Sequence, residues 1–154
     1  MRALAIVGSL LVIAGVAAGG WIWSVTISDA DHDAQAPDLA RGEAIYTEAC
    51  ASCHGANLEG QPDWRSPGPD GRLPAPPHDE TGHTWHHPDR LLLDLTMRGT
   101  AAVVGGGYES NMPGFSDAYA EDELRDVLDW MKTQWPERER AHQAQVTRRD
   151  HNGR

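Results

Sequence analysis

The sequence predicts an all-α domain set behind an N-terminal apolar segment. Three observations carry that prediction. Three stretches place apolar residues at spacings of three and four between helix start and stop signals. No stretch reads as a convincing strand, and a long proline-rich segment parts the first helix from the second.

Residues 1–24 read as a transmembrane anchor or a signal peptide. Residues 3–23 carry no charge, and at about 1.5 Å per helical residue they just span a hydrocarbon core of roughly 30 Å. Arg2 before the run, and Asp29, Asp31 and Asp33 after it, place the rest of the chain outside the cytoplasm. Val16 and Ala18 are small enough for a cleavage site, whereas the run length and the interfacial Trp21 and Trp23 favour a retained anchor. No cysteine follows the run closely, which excludes a lipoprotein anchor. Residues 25–37 form a polar linker.

The globular region is expected at 38–135. Its first helix covers 39–49, capped by Asp38, with Leu39, Gly42, Tyr46, Cys50 and Cys53 along one stripe. Glycine costs helix stability, so Gly42 marks a place where another backbone comes close. Residues 60–83 contain six prolines, at 62, 67, 69, 74, 76 and 77, which forbid regular structure. A loop that long in a small domain needs something to wrap around.

The second helix covers 88–98, opened by Pro88 and stopped by Gly99; leucines at 91, 92, 93 and 95 spread over more than one face and predict burial on several sides. The run "AAVVGGGY" at 101–108 is too brief for a strand. The third helix covers 121–134, with Leu124, Val127, Leu128, Met131 and Trp135 inward, acidic residues at 121–123 on its N-terminal dipole, and Pro136 at its end. The tail, 136–154, is polar with net charge +2 and is expected as frayed helix or disorder.

A chain of 154 residues has room for one domain, and a single phenylalanine implies a modest core that a cofactor or staple would help. The net charge is -10, and only one of the 13 basic residues, Lys132, is lysine. Residues 38–135 hold 17 acidic residues against seven basic ones, which argues against nucleic acid as a partner.

Both cysteines lie in "EACASCHGANLEG", residues 48–60, two residues apart and followed by His54. Zinc, a redox dithiol and covalent haem all use that spacing. A structural zinc site needs four ligands, and 29 residues separate Cys53 from the histidine pair His83 and His87, too many for a finger. A redox dithiol sits at a strand-to-helix junction, whereas here a helix runs into the motif. Haem c fits. Cys50 and Cys53 each add a thiol across a vinyl group to form a thioether, and His54, fixed in the same turn, ligates the iron. Such attachment takes place outside the cytoplasm, as the N-terminus requires. The absence of other cysteines also suits an oxidising compartment.

The sixth iron ligand is expected to be Met112, in the glycine-rich loop "GGGYESNMPGF", stiffened by Pro113; a histidine or an open position are the alternatives. Met97 and Met131 fall in apolar helical stripes and read as core filler. His78, His83, His86 and His87 are expected as exposed loop histidines, with a second copper or zinc site as the sharper alternative.

These residues resemble the class I cytochrome c family over roughly 38–135: a helix ending in C-x-x-C-H, a loop, a middle helix, a methionine loop with "MPGF", and a C-terminal helix. The resemblance implies a cytochrome c-like fold of three main helices around one covalently bound haem. It implies that the first and last helices cross through Gly42 and Tyr46 on one side and Val127 and Trp130 on the other. It gives Trp85, in "GHTWHHPDRLLLDL", a hydrogen bond to a haem propionate, with plain packing as the alternative. One of Pro74, Pro76 or Pro77 would accept the second ring N–H of His54. Trp64 has no matching role and is expected as buried packing. The chain departs from the family in a longer proline-rich loop and in Ala120, where relatives carry a Ser or Thr cap.

The reading that follows is a membrane-tethered, mono-haem electron carrier on the periplasmic side of the bacterial inner membrane, serving respiratory partners with basic docking patches. No acid–base pair or nucleophile assembles near the motif, so no enzyme is expected. An electron-input subunit of a larger oxidase or dehydrogenase, or a haem sensor or enzyme with an open sixth site, are the alternatives.

Overall fold

The computed structural model describes residues 36–153. The apolar run at 3–23 lies outside the described residues, and among those described no helix is long and apolar enough to cross a membrane. Helices supply the regular structure, and no strand occurs among the described residues.

The first helix is longer than its periodicity indicates. It consists of α1 (Leu39–Ile45), a π-helical turn over Tyr46–Cys50, and α2 (Ala51–His54). Asp38 caps it by accepting the Arg41 N–H at 3.0 Å. The wide turn lets the Ala51 N–H donate to the Tyr46 carbonyl, and such insertions are frequent at functional sites. Two further helices follow the proline-rich loop: α3 (Asp89–Arg98), stopped by Gly99 at φ 81°, and the short α4 (Thr100–Val104) that begins directly after it. The stretch at 101–108 is therefore a helical turn leading into three glycines of positive φ. The last helix of the expected core, α5 (Glu121–Gln134), has the predicted bounds. Glu123 reaches back to accept the Ala120 N–H at 2.8 Å, supplying one half of the cap that alanine cannot make.

α1 crosses α5, and α3 packs along α5. The crossing works because Gly42 has no side chain: a Cβ there would stand 2.2 Å from the Asp126 carbonyl oxygen and 3.1 Å from the Trp130 Cβ. Arg41 locks the same place through Asp126 at 2.6 Å and Asp122 at 3.0 Å. Tyr46, 1% exposed, lies against Trp130 with ring centroids 4.9 Å apart. Ile45, Leu58, Leu92, Leu93, Leu124, Val127, Leu128 and Met131 complete the core, with Met97 packed against it.

The tail corrects its expectation. Residues Glu137–Asn152 form α6, a 16-residue helix docked on the Thr84–His86 turn. It has no apolar stripe. Gln143 and Glu139 are its buried residues, and its anchorage is polar. Trp64 is also corrected. It is half-buried, stacked on His83 at 5.3 Å with the Arg65 guanidinium 3.9 Å over its ring.

Candidate functional site

The site begins where the first helix ends. Tyr46 donates its hydroxyl to the Gly55 carbonyl at 2.8 Å, so the residue that seals the α1–α5 crossing also holds the turn after His54. Gly55 breaks the helix at φ 83°, and the chain returns through Gly60, whose N–H donates to the His54 carbonyl at 2.7 Å. Gly60, at φ 69°, lies so close to the prolines that a Cβ would meet the Pro77 nitrogen at 2.4 Å.

That close approach brings Pro76 to His54. Nδ1 of His54 lies 2.9 Å from the Pro76 carbonyl oxygen. A carbonyl only accepts, so Nδ1 carries the proton and Nε2 keeps its lone pair. Of the three candidate prolines, the structure selects Pro76. Burial holds the His54 imidazole below its ordinary pKa, and the Pro76 carbonyl acts in the opposite sense. The ring is therefore neutral, oriented, and able to ligate through Nε2.

The cysteines are free thiols, Cys50 half-buried and Cys53 exposed. Burial first, and the neighbouring Cys53 second, push the Cys50 thiol up to about 11. A redox dithiol works through a lowered thiol pKa, so this direction lends that reading no support. Among the described residues no group of three or more His, Cys, Asp or Glu side chains is placed to hold a metal ion. The zinc reading of the motif and the second copper or zinc site at His78–His87 both lose their support.

Those histidines enter separate aromatic contacts. His78 is not an exposed loop residue: its ring stacks on His54, centroids 3.9 Å apart at 21°, and its Nδ1 meets Thr84 Oγ1 at 2.7 Å. Burial is the main cause that pushes its imidazole well below the ordinary range. Its carbonyl accepts the Trp135 Nε1–H at 2.6 Å, tying the loop to the end of α5. His83 and His87 meet edge to face at 5.4 Å. His86 lies flat on Trp85 at 3.7 Å.

Met112 sits on a loop fastened to the end of α3. Phe115 and Ser116 donate backbone N–H groups to the carbonyls of Thr96 and Met97 at 3.0 and 3.1 Å. Gly99 and Gly114 allow this: a Cβ on Gly114 would meet the Met97 carbonyl oxygen at 2.6 Å. The Met112 N–H donates to Ser110 Oγ at 3.1 Å, and Thr100 donates its hydroxyl to the Met112 sulfur at 3.2 Å. Arg72, in the proline-rich loop, reaches Asn111 at 2.8 Å and Glu109 at 3.3 Å, joining that loop to the methionine loop. The sequence does not reveal Thr100, Arg72 or His78 as neighbours of the site, because each contact spans a loop without periodicity.

Two buried side-chain donors have no hydrogen-bond partner, Trp85 Nε1 and Arg72 Nε. An orphaned buried donor costs about 1–3 kcal/mol, so it signals a missing acceptor. One turn thus presents two free thiols and a neutral imidazole with one nitrogen held and one open, while the Met112 thioether and the unpaired Trp85 indole N–H lie on separate segments. This donor set fits a haem with acidic side groups.

The fold and this donor set define a c-type cytochrome. The chain belongs to the cytochrome c family, whose model matches residues 39–135, and it accordingly binds haem c covalently as an electron carrier. α6 lies beyond the matched span. No curated protein and no solved structure matches the chain.

Proposed function

We propose that this is a class I c-type cytochrome, tethered to the bacterial inner membrane through residues 1–24, that passes single electrons between respiratory partners on the periplasmic side. Cys50 and Cys53 form the thioethers, His54 and Met112 are the axial ligands, and Trp85 donates to a propionate. When bound, the haem supplies an iron that takes up and releases one electron. The observation that carries this reading is the Pro76–His54 hydrogen bond, which leaves Nε2 open inside the C-x-x-C-H turn.

The residues divide the work. Pro76 fixes the tautomer and the angle of His54 and raises its basicity as a ligand. The backbone bonds from Phe115 and Ser116 to α3 hold the Met112 loop without help from side-chain packing. Methionine favours the ferrous state and raises the potential.

Absorption spectra of both redox states, with the near-infrared Met–iron band of the oxidised protein, test the ligation. Met112→Ala is expected to lose that band, to bind carbon monoxide rapidly when reduced, and to fall in potential by a substantial part of the roughly 0.8 V that axial ligands command. A wild-type protein that lacks the band and binds carbon monoxide supports the open-site sensor or enzyme instead.

The acidic surface supports partners with basic patches. Electron exchange with such a partner is expected to slow several-fold as ionic strength rises from about 0.01 to 0.15 M, where the screening length shrinks from roughly 30 to 8 Å. A stopped-flow salt series checks this, and indifference to salt rejects it.

A further inference from the structure

α6 lies outside the span that the family defines, yet its contacts converge on the segment carrying Trp85. We propose that α6 is a positioning element for Trp85, holding the indole N–H where the haem edge needs a donor and so setting the polarity of that edge. The inference rests on the reading of Trp85 as a propionate donor.

The anchorage is specific. Gln143, 3% exposed, directs one amide nitrogen to the His87 carbonyl at 3.2 Å, to Asp89 Oδ1, and to Thr147 Oγ1 at 3.1 Å. Thr147 accepts the Asp89 N–H at 3.1 Å, and Arg90 reaches Asp150 at 3.2 Å. Asp89 also takes Lys132 of α5 at 2.8 Å, so one carboxylate joins α3, α5 and α6. These bonds fix the helix against the turn that opens α3.

Trp85 lies at the end of that connection. Its indole stacks on His86 and meets His142 of α6 edge-on at 5.4 Å, and His142 also meets His86 at 5.4 Å. The indole is thus stacked on its own turn and met at near right angles by a ring of α6, while its buried Nε1 remains without a partner. The fully buried residues of α6 are both polar. Its contacts are directional hydrogen bonds and ring edges, which fix orientation more than they add burial.

The test uses the holoprotein. Gln143→Leu and His142→Ala are measured beside Trp85→Phe, and beside a chain ending at Pro136. Both point variants are expected to lower the reduction potential in the same direction as Trp85→Phe, because a wetter and less neutralised propionate favours ferric iron. In the reduced protein the Trp85 indole N–H should exchange with solvent faster. His142→Phe, which keeps the ring edge, should retain the wild-type potential. His142→Ala added to Trp85→Phe should lower it no further.

If the α6 variants lose melting temperature alone, with potential and indole exchange at wild-type values while Trp85→Phe shifts the potential, α6 is only structural and the inference fails. If Trp85→Phe leaves the potential unchanged with haem still attached, the propionate reading fails and the inference with it. Should the truncated chain not fold, the point variants decide.

Discussion

The double variant Cys50→Ala, Cys53→Ala is expected to leave the cell without covalently held colour and largely unfolded. The reason lies in the composition of the core. Its buried apolar residues include one tyrosine and one tryptophan, and the single phenylalanine is only partly buried. A domain this size buries a comparatively small fraction of its surface, and the margin of a folded protein is only about 5–15 kcal/mol. The long proline-rich loop returns over His54 with few apolar side chains of its own, so it needs an occupant to close on. Each single variant should keep one thioether and retain haem through acid–acetone extraction, with a shifted spectrum. Haem staining of a denaturing gel, a pyridine haemochrome spectrum and a circular dichroism melt together check the outcome. Wild-type protein from cells with working maturation machinery that gives up its colour to acid–acetone defeats the assignment.

The parts of this molecule that follow a local rule are legible in the amino-acid sequence. The stripe through Gly42, Tyr46 and the cysteines places the first helix, and acidic residues and Pro136 place the ends of α5. The close approach at Gly42 follows from the cost of glycine in a helix, and the Asp126 backbone lies there. The features that sequence patterns miss depend on contacts between segments far apart in the chain. Pro76 cannot be told from Pro74 or Pro77 by spacing, because the choice is made by Gly60 letting the loop approach His54. His78 reads as an exposed residue, since nothing local announces a ring stacked on that of His54. α6 reads as frayed or disordered because it lacks the apolar stripe on which periodicity depends. It is anchored by Gln143, Thr147 and Asp150, residue types common on solvated surfaces. The cap of α5 is missing at Ala120 and is supplied from inside the helix by Glu123.

Gly42→Val is expected to cost far more stability than valine placed at an exposed position of the first helix. A Cβ at position 42 would lie 2.2 Å from the Asp126 carbonyl oxygen and 2.6 Å from its carbon, and neither can step aside. Asp126 is in the middle of α5, and its side chain is fastened from the other helix by the Asp38 N–H at 3.0 Å and Arg41 at 2.6 Å. The crossing must therefore open. Overpacking of this kind costs roughly 1–3 kcal/mol, or more where backbone meets backbone. Alanine regains about 1 kcal/mol of helix propensity over glycine, so Gly42→Ala shows only the remainder, whereas valine adds more bulk and regains only about a few tenths of a kcal/mol. A fall in melting temperature on the order of 10 °C is expected for Gly42→Val. Ala44→Val, at an exposed position of the same helix, isolates propensity and should cost only a few tenths of a kcal/mol. The damage should also reach the site. One turn further on, Tyr46 rests on Trp130 and holds the Gly55 carbonyl, so separating α1 from α5 loosens the turn that presents His54. The holoprotein should therefore lose stability and show a perturbed haem spectrum together. A Gly42→Val protein that melts with the wild type shows that the helices do not meet at this glycine.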